Sequence, residues 1–167
     1  MKAFYLSLAA AAGLALAPGA AHAQGPEFAS TLAFSPFMVA ISVADIEAET
    51  AFYRDKLDFV VETDASMRDG AVHFRWLTNG TQRIELVQVA GSQPGAVHPA
   101  PPGHAAVRGL THLTLETSDI GNVRNVLAMR GVTPALDVTE VTALGIKVMY
   151  LLDPEGNAVE IAQRMGS

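Results

Sequence analysis

Two stretches of this chain read alike: Met38-Val-Ala-Ile-Ser-Val-Ala-Asp45-Ile46 and His112-Leu-Thr-Leu-Glu-Thr-Ser-Asp119-Ile120. Their ends also correspond, with Arg83-Ile84-Glu85-Leu86 closing the first copy and Ala158-Val159-Glu160-Ile161 the second. The offset is 74 residues at the start, from Met38 to His112, and 75 at the end, from Glu85 to Glu160. That is the mark of a duplicated structural unit with one small insertion. Whatever the first half folds into, the second must fold into as well, with a glutamate at the same place in each.

The pattern within each copy is βαβββ. In the first, a strand over 37–43 leads to Asp45 as N-cap of a helix running to about Lys56, with Ile46, Tyr53 and Leu57 near one face. Strands over 59–63, 71–77 and 82–89 follow, the last two joined by a tight hairpin at Asn79-Gly80. The second copy gives a strand over 110–117, an Asp119-capped helix to about Arg130 with Gly131 as its stop, and strands over 136–141, 145–152 and 157–163. Asp153-Pro-Glu-Gly-Asn157 makes the matching hairpin. The expected architecture is one α+β domain over 37–167, built from unit 37–90 and unit 109–167. Between them, residues 91–108 are rich in Gly, Pro and small side chains and read as a linker or a lid; the plainer reading is a tether, with His98 and His104 as solvated loop residues.

Ahead of the repeats, residues 1–23 have the form of a secretory signal peptide: Lys2, an apolar run from Leu6 to Ala17, and Ala21-His22-Ala23 at the cleavage point. The apolar run is shorter than the roughly 20 residues a spanning helix needs. The expectation is a secreted or periplasmic protein, free of the membrane once cleaved, with 24–36 as an N-terminal arm. The chain has no cysteine, which removes disulfides, thiolate nucleophiles and thiolate metal ligands together and leaves His and carboxylate for any metal. A net charge of -6 without a Lys/Arg cluster argues against a nucleic-acid partner and for a small, mostly uncharged molecule.

Strand alternation separates two faces. Val39, Ile41 and Val43, with Leu113, Leu115 and Thr117 in the second copy, form a mostly apolar side on which each helix can sit. The opposite side carries Met38, Ala40 and Ser42 in one copy and His112, Thr114 and Glu116 in the other. On the closing strands Ile84, Leu86, Val159 and Ile161 take the apolar side and leave Arg83, Glu85 and Glu160 on the polar one. This polar surface reads as the wall of a cavity. His112, Glu85 and Glu160 on one concave surface suit a divalent ion, Zn, Mn, Fe, Co or Ni, with positions open for water and substrate. Taken singly, each is also an ordinary solvated or hydrogen-bonded strand residue.

The patterns Val-x-Asp-Ile-x6-Tyr-x3-Leu at 43–57 and Asp-Pro-x-Gly-Asn-x2-Glu at 153–160 resemble the vicinal oxygen chelate superfamily, which includes glyoxalases, epimerases, extradiol dioxygenases and bleomycin-resistance proteins. The resemblance covers residues 37–164 and implies paired βαβββ units forming a cupped mixed sheet, helices on the convex side, often as a homodimer. It places metal ligands at Met38, Glu85, His112 and Glu160. Met38 departs from the His or Gln of glyoxalase-like members, and a thioether is a poor ligand for such ions, which leaves three strong ligands or a site with no metal. Tyr150-x2-Asp153-Pro154-x-Gly156-x3-Glu160 is similar to the tail of the extradiol dioxygenase signature, but no histidine stands shortly upstream and ring cleavage is not expected. Tyr150 faces substrate on that reading, or packs as an ordinary tyrosine.

Two functions follow. One is a glyoxalase- or epimerase-type lyase or isomerase, in which a metal holds adjacent substrate oxygens and Glu160 or Glu85 takes a proton to give an enolate-type intermediate. Tyr150 would assist, and Met38, Arg83 and Thr114 would line the substrate. The other is a metal-free protein that sequesters an apolar or aromatic compound among Met38, Phe74, Trp76 and Tyr150. Phe74 and Trp76 share a strand face with Val72, where they can also simply pack a core or a subunit contact.

Overall fold

The computed structural model describes residues 35–166, so the expected signal peptide and nearly all of the arm lie outside the described residues. Each repeat forms its βαβββ unit. The first comprises β1 (Val39–Val43), α1 (Ile46–Leu57), β2 (Val60–Met67), β3 (Val72–Thr78) and β4 (Arg83–Val89). The second comprises β5 (His112–Glu116), α2 (Ile120–Met129), β6 (Leu136–Val141), β7 (Ile146–Leu152) and β8 (Ala158–Arg164). The strand orders are β1-β4-β3-β2 and β5-β8-β7-β6, so the units repeat in topology as well as in sequence. In each, the first strand runs parallel to the last and the remaining pairs are antiparallel.

Both helices start where their caps put them. Asp45 accepts from the amides of Glu47 and Ala48 at 3.0 Å, and Asp119 from that of Asn122 at 2.9 Å. A second device is duplicated: the first helical amide donates to a glutamine on the closing strand, Ile46 to Gln88 and Ile120 to Gln163, each at 3.0 Å. This ties each helix to its sheet while satisfying an amide that has no partner within the helix. At the far end of α2, Gly131 adopts φ +74°, a left-handed conformation that glycine enters at little cost.

The apolar faces meet in one shared core. Val43, Leu77, Ile84 and Leu86 from the first sheet and Met149, Leu151, Val159 and Ile161 from the second belong to a single buried cluster, with Ile46 and Tyr53 of α1 and Ile120 and Leu127 of α2. Each such side chain withdrawn from water contributes on the order of 1.5–3 kcal/mol, so neither unit can leave the other without exposing much of its stabilisation. Cross-unit hydrogen bonds add direction: Lys56 Nζ donates to the Arg130 carbonyl and Arg130 donates back to that of Lys56.

Three details differ from the sequence reading. β2 runs to Met67 rather than stopping at 63, because Asp64 on this outer strand is anchored by Arg75 and His73 of β3. The β3–β4 connection is a four-residue loop over 79–82, in which Asn79 Oδ1 accepts from the amides of Thr81 and Gln82. The 91–108 segment is more than a tether: Gly103–Ala106 forms a 3₁₀ turn whose His104 is only 6% exposed.

Candidate active site

One face of each sheet is turned to the shared core and the other points away from it; on the second sheet that other face also carries a smaller apolar cluster, Val148, Tyr150 and Ala158. Register builds the same small frame on each outward face. Trp76 lies opposite Glu85, and Tyr150 lies opposite Glu160, on paired antiparallel strands. Trp76 Nε1 donates to Glu85 Oε1 at 2.8 Å, and the Tyr150 hydroxyl donates to Glu160 Oε1 at 2.5 Å. The parallel neighbours are Ala40 beside Glu85 and Thr114 beside Glu160. One scaffold therefore presents two half-sites with different chemistry.

The second half-site is the richer. Thr114 Oγ1 donates to Glu160 Oε2 at 2.7 Å, and His112 Nε2 lies 3.5 Å from the same oxygen. Burial, and then its bond to Glu160, hold the Tyr150 phenol well above its ordinary range, so it stays a hydroxyl donor at any physiological pH. His104 reaches in from the linker. Its Nε2 is 3.0 Å from His112 Nδ1, and its ring centroid lies 4.8 Å from that of Tyr150 and 5.1 Å from that of His112. Thr111 Oγ1 also lies 3.0 Å from His112 Nδ1. An open hollow of about 530 Å³ beside this half-site is bordered by Thr114, Glu116, Ile146 and Arg164.

The first half-site is aromatic and less polar. The Phe37 ring stands edge-on to Trp76 at 5.7 Å. Arg83, expected to bind substrate, is held by Glu62 through two hydrogen bonds of 2.5 and 2.7 Å and sits 5.1 Å from the Phe37 ring centre. Met38 precedes β1, half-buried. Trp76 and Phe74 lie on this outward face, not in the shared core.

The structure brings His112, Glu160, Tyr150 and Thr114 together and leaves Glu85, Arg83 and Met38 on the other sheet. Among the described residues no three His, Asp or Glu side chains gather as a metal site, so the expected convergence of Glu85 with His112 and Glu160 does not occur within one copy. Strand parity places the three ligands on like faces, but like faces of two sheets that share a core point apart. His112 and Glu160, one imidazole and one carboxylate, fit a divalent ion as two of its ligands. His104 escaped the sequence reading because nothing in a Gly- and Pro-rich segment marks which histidine folds back; its one signal is that it lies eight residues before His112.

The sequence profile of the Glyoxalase/Bleomycin resistance protein/Dioxygenase superfamily matches residues 36–161. The chain belongs to this superfamily. Among solved structures it is similar to a glyoxalase family protein from Enterococcus faecalis, at 23% identity and a TM-score of 0.63, over 77% of this chain and 96% of that one. It is also similar to a glyoxylase/bleomycin resistance protein/dioxygenase domain from Frankia sp. EAN1pec, at 17% identity and a TM-score of 0.65, over 81% and 96%. Glyoxalase I from Zea mays, at 15% identity and a TM-score of 0.62, aligns over 78% of this chain and 44% of its own length. At these identities the likeness is one of fold. No protein of curated function matches the chain in sequence. The superfamily's paired βαβββ architecture and its small-molecule sites frame what the Glu160 cluster can do.

Proposed function

We propose that this glyoxalase-superfamily protein is an exported lyase or isomerase that moves a proton on a small molecule carrying adjacent oxygen atoms, with Glu160 as the base. The observation that carries the reading is the Tyr150–Glu160–His112 cluster: a carboxylate with one oxygen fixed by a phenol and the other facing a hydroxyl and an imidazole. Tyr150 holds the carboxylate plane. Thr114 can rotate its hydroxyl away, freeing Oε2 to take a proton from the carbon beside a substrate carbonyl and to return it elsewhere. His112, on the same side, is placed to orient the substrate's oxygens. A divalent ion would be held by His112 and Glu160 with Glu85 of a second copy, and would supply Lewis-acid polarisation of those oxygens when bound. On this reading the working form is a homodimer in which the aromatic first half-site of one copy faces the acidic second half-site of the other.

A second reading, metal-free binding of an apolar or aromatic compound, is favoured by Met38 and by the Phe37–Trp76 wall. One experiment separates them. The full chain is incubated in deuterated water with a panel of enolisable carbonyl compounds, and carbon-bound deuterium is followed by NMR. Catalysed exchange that falls at least about 100-fold in Glu160→Gln is expected. Exchange unchanged in that variant would remove the base assignment. No exchange, with tight ligand binding that persists in excess chelator, would establish the second reading.

A further inference from the structure

His104 comes to the half-site from outside the duplicated units, and its hydrogen bonding is incomplete in an informative way. Its Nε2 meets His112 Nδ1 at 3.0 Å, whereas its Nδ1 is buried with no hydrogen-bond partner among the described residues. Only one hydrogen fits between two ring nitrogens at that separation. Either His104 donates from Nε2, or His112 donates from Nδ1.

The alternatives differ at the outer ends of the pair. If His104 donates, it keeps a bare lone pair on its buried Nδ1, and His112 turns an Nε2–H toward Glu160 Oε2, 3.5 Å away. If His112 donates, the hydrogen of His104 must move to Nδ1, where no acceptor waits among the described residues. His112 Nε2 then presents a lone pair to a carboxylate. Orphaned buried N–H groups are rarer in folded proteins than under-satisfied acceptors, and two lone pairs face to face repel. Both ends favour the first arrangement. Thr111 does not change this: with its hydroxyl accepting from His112 Nδ1, the hydrogen of His104 would still be driven to the unpartnered nitrogen.

Resting on the reading of His112 and Glu160 as a substrate-facing pair, we infer that His104 is a positioning residue that fixes His112 as a hydrogen-bond donor through Nε2 and thereby disfavours metal binding there. A ligating histidine needs its lone pair on the metal-facing nitrogen and normally donates its other N–H to an acceptor. Here the group opposite His112 Nδ1 is an imidazole whose other nitrogen is buried without an acceptor among the described residues. His104 thus tunes the site toward hydrogen bonding of substrate oxygen and away from tight capture of a divalent ion.

The test is ¹⁵N NMR of the histidine rings in the full chain without added metal, together with zinc titration by calorimetry. The expected spectrum has His112 carrying its hydrogen on Nε2; an Nδ1–H tautomer overturns the inference. In His104→Gln the amide oxygen can accept from His112 Nδ1–H, so zinc affinity is expected to rise about tenfold over the unsubstituted chain. An equal or lower affinity in a folded variant overturns it as well. His104→Phe, which keeps the packing on Tyr150 and leaves Thr111 as acceptor, is the second variant should Gln disturb the fold. The tautomer needs neither substrate nor metal: unchanged exchange in Glu160→Gln would defeat the catalytic reading and leave this result standing, and an Nδ1–H on His112 would do the reverse.

Discussion

Glu49 shows how one side chain can record the seam between the two repeats. It is fully buried on α1, and its Oε1 accepts from the Glu155 amide at 3.0 Å, the same amide that donates to Asp153 Oδ1 at 3.1 Å. Two buried carboxyls sharing one N–H resist ionising together. Burial first, and then the charge of Asp153, pushes the Glu49 carboxyl up to about 8, and burial also lifts that of Asp153. Glu49 Oε2 and the Tyr53 hydroxyl lie buried against this pair without partners among the described residues, which is room for a retained proton. The sign follows from the raised value. Between the unfolded carboxylate range and about 8, the folded chain holds a proton that the unfolded chain has lost, so the contribution of this group to stability is fullest below that range and drains away as pH rises toward 8. Thermal unfolding should therefore fall by about 5 °C between pH 6 and pH 9. In Glu49→Gln, which keeps the bond to Glu155 and adds N–H donors for Asp153, that slope should flatten; parallel curves for the two proteins would show that the proton lies elsewhere.

At the scale of elements, the helices are held by paired devices of which only one half was legible in the sequence. Asp45 and Asp119 announce their helices because an N-cap is a local event, read from a few adjacent residues. Gln88 and Gln163 do the same work from 42 and 43 residues away, and no local pattern distinguishes them from any exposed strand glutamine. Removing either kind of cap should cost about 1 kcal/mol, so Asp119→Ala and Gln163→Ala are expected to lower the urea midpoint comparably. An unaffected Gln163→Ala would mean that water replaces its contact. The same distinction explains the site. Glu85 and Glu160 were legible because strand alternation fixes their face, and the bonds from Trp76 and Tyr150 follow from register. His104 was not, because the course of a Gly- and Pro-rich segment depends on the packing it finds. The end of β2 was missed for a similar reason: an outer strand pinned by Arg75 needs no apolar alternation of its own.

For the molecule as a whole, the deciding fact is that sharing a core turns the two half-sites outward. A single copy offers His112 and Glu160 on one sheet and Glu85 on the other, and the apolar surface that could close either half-site, such as Phe37 at 59% exposed, lies open. A symmetric pair of copies would solve both problems at once, since a two-fold axis that sets the first half-site of one copy on the second half-site of the other does so twice. This arrangement predicts complementation. At a zinc concentration high enough to fill the weak site of the unsubstituted dimer, His112→Ala and Glu85→Gln should each abolish zinc binding as homodimers. Coexpressed, they should form mixed dimers in which one site carries both defects and the other carries none, because the intact Glu85 of one copy meets the intact His112 of its partner. Random pairing makes about half of the dimers mixed, so about a quarter of the zinc sites should return. Zinc bound at equilibrium, by dialysis at that concentration, with dimerisation confirmed by sedimentation, gives the measurement. Sites built within one copy cannot be rescued this way, and a coexpressed mixture that stays metal-free while either parent alone dimerises would break the shared-site arrangement.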